Sequence, residues 1–251
     1  MIGVLAAWLA HADQTLDALT ASGVQEFQGA CQAWDAARFT RASQLLRQAS
    51  EAPNASSTQY YWLGVSEFHR MLQCQSVLDH PSPSPEAEAA MESALAALQK
   101  AVKLDERHAE CHALLGTLYG MKIEGNLVRA LRFGPRVQKH RELALRHGAN
   151  NPRVLYLLGA CQFHTARKAA AWREALESFR AAERLFASEA QRTPAPLEPR
   201  WGRSSCLTFM GRTHEALGEA AEAAASFRRA LELHPADLLA RQGLARVQQT
   251  K

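Results

Sequence analysis

A large apolar residue stands directly before a glycine at four places, each inside a stretch of helical hydrophobic periodicity. The pairs are Leu63-Gly64, Leu115-Gly116, Leu158-Gly159 and Met210-Gly211. Glycine inside a helix costs about 1 kcal/mol relative to alanine, so four glycines in equivalent places need a packing reason. The close approach of a second helix supplies that reason. The pattern therefore predicts helices that pack in pairs.

A second pattern accompanies the glycines and predicts the partner helices. It places a small, a large and a small residue at offsets of four and three: Ala42, Leu46 and Ala49; Ala94, Leu98 and Ala101; Ala175, Phe179 and Ala182; Ala223, Phe227 and Ala230. Val137, Arg141 and Ala144 form a degraded copy. The first small residue of a partner helix precedes the next glycine by 22 residues in three cases, and Gly211 precedes Ala223 by 12, which together make a unit of 34 residues.

Thirty-four residues is the period of the tetratricopeptide repeat, and the chain resembles that family. The most complete motif comprises Leu207, Met210, Gly211, His214, Leu217, Gly218, Ala220, Ala223, Phe227, Ala230 and Pro235. The resemblance implies an all-α, tetratricopeptide-type α-solenoid, a right-handed superhelix of about five helix pairs with a C-terminal capping helix. One helix pair is too small to bury its own apolar stripe, so we expect stacked neighbours to form a continuous core.

The repeat register divides the chain into three parts. Residues 1–23 are predicted to be an N-terminal helix or signal-like segment, residues 24–237 the helix pairs, and residues 238–251 the capping helix. Some units are longer than the repeat requires. The extra residues are predicted as insertions near 70–88, 122–134 and 165–171 and a proline-rich linker near 188–200.

The first residues allow two interpretations. Ile2 to Ala10 is an apolar run, and Ala10-His11-Ala12 has the small-x-small form of a signal-peptidase site. No Lys or Arg precedes Arg38, so the positively charged start of a signal peptide is missing, and an amphipathic first helix is the alternative. The compartment is accordingly either cytoplasmic or, if this segment is a truncated signal peptide, bacterial periplasmic or exported.

A narrower resemblance concerns the second half of the chain. Gly134-Pro135, Asn150-Asn151-Pro152-Arg153 and Trp201-Gly202 are similar to positions shared by a group of bacterial, often exported, tetratricopeptide proteins. Between Thr165 and Ala175 the chain departs from that group, which often has a glycine-rich loop there. The resemblance spans about 120 residues and implies protein association without a defined partner.

Composition excludes several classes of partner. Twenty-nine Lys and Arg against 25 Asp and Glu leave a net charge of +4, too mild to require nucleic acid. No apolar run reaches the roughly 18 residues of a membrane span. Five scattered cysteines, an odd number, do not suggest a disulfide framework. A protein or peptide partner is expected, and an oligomer is compatible with the sequence.

The tetratricopeptide resemblance also implies a binding surface, a concave groove lined by fixed positions of the first helix of each pair. On this register the groove residues are Tyr61, Phe68, His69, Glu110, Thr117, Met121, Arg153, Tyr156, Phe163, His164, Thr208 and Arg212. Paired aromatics and arginines suit a peptide segment, because aromatic side chains give a large contact area with little loss of entropy. The alternative is that the aromatic members belong to the core between repeats.

Residues that could carry chemistry are few. His108, Cys111 and His112 have a spacing that can hold zinc, but three ligands without a fourth more often open a helix as ordinary polar residues. The chain has no dinucleotide-binding, phosphate-binding, zinc-protease or serine-hydrolase motif. We therefore expect a non-enzymatic binding protein without cofactor or metal. A self-associating scaffold and, third, an all-α metalloprotein around His108, Cys111 and His112 remain alternatives.

Overall fold

The computed structural model describes residues 2–76 and 84–249, with side chains from residue 15 onward. All regular elements in this part are helices, which confirms the predicted all-α class. They are α1 (Ile2–Ala33), α2 (Ala36–Ser50), α3 (Ser57–Ser76), α4 (Pro85–Leu104), α5 (Ala109–Ile123), α6 (Leu127–Gly148), α7 (Pro152–Thr165), α8 (Ala169–Ala190), α9 (Arg203–Ala216), α10 (Ala220–Leu233) and α11 (Leu238–Gln249). None of the helices described is both long and apolar enough to cross a membrane.

Most of the contacts join helices that follow one another within a unit. Helix α1 packs on α2, α3 on α4, α7 on α8 and α9 on α10, while α11 covers α9 and α10. Helices α5 and α6 meet at Gly116, which lies near His140 and Val137. The boundary predicted at residue 23 falls inside α1, which continues without a break to Ala33.

Side-chain caps define where several helices start. Asp35, Ser84, Asn126 and Asn151 each accept hydrogen bonds from backbone N–H groups in the first turn of α2, α4, α6 and α7. These contacts satisfy donors that have no partner within the helix. Before α9 the chain turns through Gly202, whose φ of 99° is a left-handed conformation that favours glycine.

The predicted insertions have different structures. Most of the insertion at 122–134 is helical, since α6 already begins at Leu127 and contains Pro135 in its interior. Of the insertion at 165–171, only residues 166–168 connect α7 to α8, and the rest belongs to these two helices. Residues 77–83 of the longest insertion lie outside the described part of the chain, as do the side chains of the possible signal sequence.

The chain divides into two compact units. The first comprises residues 1–111 together with 195–197. Its core includes the buried rings of Phe27, Phe39 and Trp62, and the indole of Trp62 donates a hydrogen bond to the Leu197 carbonyl (3.1 Å). A methyl group placed on Gly64 would lie 2.5 Å from Leu98, so this glycine is required by the close approach of α3 and α4.

The second unit comprises residues 112–194 and 198–251. Gly159 lies against Phe179, and Gly211 lies against Phe227; a methyl group on either glycine would come within 2.7 Å of the ring. Ala175 and Ala223, the small residues of the two partner helices, are fully buried. Gly116 differs, because a methyl group there would approach no atom closer than 3.7 Å. The four glycines that look alike in sequence are therefore not equivalent in packing.

Candidate functional site

The twelve predicted groove residues fall into two sets. Seven are buried in the structure: Tyr61, Phe68, His69, Glu110, Arg153, Tyr156 and Thr208. Five are half-buried or exposed: Thr117, Met121, Phe163, His164 and Arg212. A binding surface requires access, so only the second set offers side chains to a partner in this structure.

In the first unit, the buried groove candidates bond to one another and to the backbone. The hydroxyl of Tyr61 donates a hydrogen bond to the Glu110 carboxylate, and its ring stacks on His108 with centroids 4.7 Å apart. Nδ1 of His69 lies 2.9 Å from the Val65 carbonyl oxygen. These contacts place Tyr61, Glu110 and His69 in the interior of the first unit.

In the second unit, the buried candidates also have internal partners. Arg153 donates two hydrogen bonds to the Glu189 carboxylate, at 3.0 and 2.6 Å. The ring of Tyr156 lies 6.2 Å from that of Phe209, and burial raises the pKa of Tyr156. Thr208 donates to Asp237 at 2.6 Å. The position of a residue in the first helix of a pair therefore does not tell whether its side chain is accessible or internal. Side chains from helices that are distant in sequence cover some of these positions.

Four accessible or half-buried side chains in the second unit form what we call the aromatic–arginine cluster: Phe163, His164, Phe209 and Arg212. The ring centroids of Phe163 and Phe209 are 5.7 Å apart at 77°, an edge-to-face arrangement. The guanidinium of Arg212 lies 4.9 Å from the Phe163 centroid and 5.0 Å from that of Phe209. Helices α7 and α9 therefore hold a cation over two aromatic rings at a surface that solvent reaches.

The cluster carries one positive charge near neutral pH. Burial and then the positive charge of Arg212 lower the pKa of His164, so its ring is neutral there. Burial, followed by the nearby charge of Arg246, lowers the pKa of Arg212, but an arginine stays protonated in proteins. The desolvated guanidinium is suited to an anionic or aromatic group of a partner.

Phe209 is the member of this cluster that the repeat register does not select. Its ring stacks on Phe179 at 5.8 Å and meets His164 at 5.6 Å, so it joins the core of the unit to its surface. The only available signal in the sequence was its position three residues before Arg212, which places both on one helix face.

Two histidines of the second unit form a close pair. Nδ1 of His112, on α5, lies 2.9 Å from Nδ1 of His140, on α6, so one ring donates to the other. The ring of Tyr119 stacks on His140 at 5.8 Å. Burial lowers the pKa of His140 from 6.5 to about 4, and the charges of His112, Lys139 and Arg136 act in the same direction.

This pair predicts a stability that depends on pH. Below about pH 6.5 the unfolded chain protonates His140, whereas the folded chain does so only near pH 4, so unfolding free energy is lost as the pH falls between these values. We expect a loss of roughly 1 to 2 kcal/mol from this residue, since the half-exposed ring reduces the full effect. Urea unfolding of wild type and His140→Gln at several pH values measures it; equal losses in both proteins would contradict the assignment.

The possible metal ligands are not arranged as a site. Nδ1 of His108 faces the backbone N–H of Cys111 at 3.4 Å, while His112 is paired with His140. Burial raises the pKa of the Cys111 thiol, which disfavours the thiolate that would bind a metal. In the part of the chain with described side chains, no group of three or more His, Cys, Asp or Glu residues is placed to hold a metal ion.

Comparison with known proteins identifies the fold and the family. The model of the family described as regulator of microtubule dynamics protein 1-3 matches residues 32–247. The HusA haemophore from Porphyromonas gingivalis is 15% identical and has a TM-score of 0.60, with 81% of this chain and 93% of that chain covered. A thermophilic TPR protein from Thermus thermophilus is 16% identical and has a TM-score of 0.59, with 90% and 99% covered. No curated protein matches the sequence. The tetratricopeptide-type fold predicted from the repeat is thereby confirmed.

Proposed function

The chain belongs to the family of regulator of microtubule dynamics proteins 1-3, and on that premise we propose that it binds a peptide or protein segment at the aromatic–arginine cluster. A tetratricopeptide-type fold is in general a protein-interaction module. We place the binding surface on α7 and α9 and propose that it has no enzymatic activity. The observation that carries it is the placement of Arg212 over the rings of Phe163 and Phe209 at the surface.

The chemistry of the cluster supports a protein partner. Residues that dominate binding energy at protein interfaces are mostly aromatic residues and arginine, set among contacts that exclude water. Phe163 and Phe209 have restricted rotamers because each contacts a neighbouring ring, so little side-chain entropy is lost on binding. The partner segment that fits best presents an aromatic or acidic side chain to the guanidinium of Arg212.

Peptide display against the full chain tests this function. Selected peptides are expected to lose at least tenfold in affinity when the pair Phe163→Ala and Arg212→Ala is introduced, since each substitution removes one partner of the cation–ring contact. Fluorescence anisotropy with a labelled peptide measures the change. Unlike changes at the buried Tyr61 or Tyr156, these substitutions affect side chains that the fold does not enclose.

The matched control is Arg180→Ala. Arg180 is an exposed arginine on α8 that pairs with Glu177 at 2.7 Å and lies outside the cluster. Its removal changes the net charge by the same amount as Arg212→Ala and should leave peptide affinity unchanged. Equal peptide affinity of the wild type and the Phe163→Ala, Arg212→Ala variant would contradict peptide binding at the aromatic–arginine cluster. A concentration-dependent dimer in sedimentation velocity, with no peptide bound, would instead favour a self-associating scaffold.

A further inference from the structure

A cavity in the second unit lies where the repeat pattern departs from the other helix pairs. In three other helix pairs, a large apolar side chain of the second helix fills the space beside a glycine of the first; these side chains are Leu98, Phe179 and Phe227. In the pair α5 and α6, the equivalent position holds Arg141. Arg141 is exposed, and a methyl group on Gly116 would meet the backbone of Arg141 and Val137 and Cβ of His140, each at 3.7 Å, rather than a large side chain.

Next to Gly116 and Arg141 lies a cavity of about 170 Å³ that is mainly apolar. Helices α5, α6 and α7 line it, and it is partly open to solvent. Its apolar wall includes Gly116, Val137, Leu145, Val154, Leu157 and Leu158. An apolar cavity of roughly 150 Å³ binds benzene, a molecule of six carbon atoms, so this one has room for about six carbons.

The polar groups of the lining are already hydrogen-bonded, with one exception. Thr117 donates to the Ala113 carbonyl at 3.0 Å, and Thr165 donates to the Cys161 carbonyl at 2.9 Å. Gln162 accepts a hydrogen bond from Ser178 at 2.7 Å. Among the residues whose side chains are described, none forms a hydrogen bond or ion pair with the guanidinium of Arg141.

Basic residues outnumber acidic ones on α6 beside the cavity. Burial raises the pKa of the Cys161 thiol in the wall, and the charge of Arg141 acts on the same thiol in the opposite direction. Arg136, Lys139 and Arg146 are also exposed on α6. The nearest acidic neighbour along this helix is Glu142, whose carboxylate accepts a hydrogen bond from Gln138.

We propose that this cavity binds an aliphatic carboxylate, with an alkyl chain of up to about six carbons between α5, α6 and α7 and the carboxylate on Arg141. The alkyl chain removes apolar surface from water, and the carboxylate forms a charge-assisted hydrogen bond with the unpaired guanidinium. Two kinds of ligand combine an alkyl group with a carboxylate in this way. One is a free carboxylic acid, and the other is the C-terminal residue of another chain, when that residue has an aliphatic side chain. The inference does not rest on the aromatic–arginine cluster.

The test is a nuclear magnetic resonance titration of the full chain with hexanoate. Hexanoate should shift the signals of Thr117 and Leu157 in a saturable manner, while hexanol should bind at least fivefold more weakly and acetate should not bind. The peptide acetyl-Ala-Ala-Leu with a free carboxylate, compared with its C-terminal amide, distinguishes the second source. Tighter binding of the free peptide than of hexanoate would assign the site to a chain terminus.

Three variants separate this site from general attraction of anions. Arg141→Gln should weaken hexanoate binding at least fivefold and leave hexanol binding unchanged, since it removes the charge only. Arg141→Phe restores the large apolar residue of the other pairs, so it should abolish binding of both ligands and raise Tm. Arg212→Ala should leave hexanoate binding as in wild type. Absence of saturable shifts with both hexanoate and the free peptide, or equal binding by wild type and Arg141→Gln, would overturn the proposal.

Discussion

Replacing Glu189 with alanine is expected to lower the free energy of unfolding by about 3 to 5 kcal/mol. The carboxylate of Glu189 accepts two hydrogen bonds from Arg153, and the side chains of the two residues are only 10% and 4% exposed. Removing the carboxylate takes the charge of Glu189 away from a guanidinium that is buried against Phe186. Urea denaturation followed by circular dichroism measures the loss.

Two controls distinguish an uncompensated charge from a general effect of truncation. The double variant Arg153→Met with Glu189→Leu removes both charges and keeps the volume, so it should recover most of the lost stability. Glu177→Ala breaks the exposed pair with Arg180 and should cost less than about 1 kcal/mol. A loss at Glu189 no larger than that at Glu177 would mean that the buried pair contributes little.

The architecture could be predicted because the repeat imposes a local rule. A large side chain in the second helix of a pair requires a glycine in the first, and Phe179 with Gly159 and Phe227 with Gly211 obey this rule in the structure. The spacing gives the number of residues between the two packing positions but does not show whether those residues are helical. It therefore predicts an insertion at 122–134, whereas in the structure Asn126 caps a helix, α6, that begins at Leu127.

The site could be predicted only in part, since burial depends on partners that are distant in sequence. Arg153 occupies a repeat position that is expected to face a ligand. In the structure it instead donates hydrogen bonds to Glu189, which lies 36 residues away on α8, and both side chains are buried. Phe209 has no place in the motif, yet the structure brings it to Phe163 and Arg212. Arg141 is visible in sequence as a departure from the repeat, but the cavity beside it appears only once α5, α6 and α7 are packed.

The second large effect is expected at Gly211, where substitution by leucine should lower the free energy of unfolding by about 3 kcal/mol or more. The first carbon of a side chain at this position would lie 2.6 Å from the ring of Phe227. That ring is fully buried and also faces Gly243 of α11, where an added methyl group would lie 2.3 Å away. Because Phe227 is held between two glycines, it has no free direction in which to move. Thermal unfolding should show a fall in Tm of roughly 6 to 12 °C.

Gly120 supplies the matched control because it also lies inside a helix, α5, but a methyl group there would meet no neighbouring atom within 4 Å. Gly120→Ala should therefore raise the free energy of unfolding by up to about 1 kcal/mol, since alanine loses less backbone entropy in a helix. Gly116→Ala should be tolerated for the same reason, given its 3.7 Å clearance. Opposite signs at Gly211 and Gly120 would show that tight helix contact, rather than glycine itself, is what the repeat selects. A Gly211→Leu protein that unfolds at the wild-type temperature would contradict the packing of α9, α10 and α11 around Phe227.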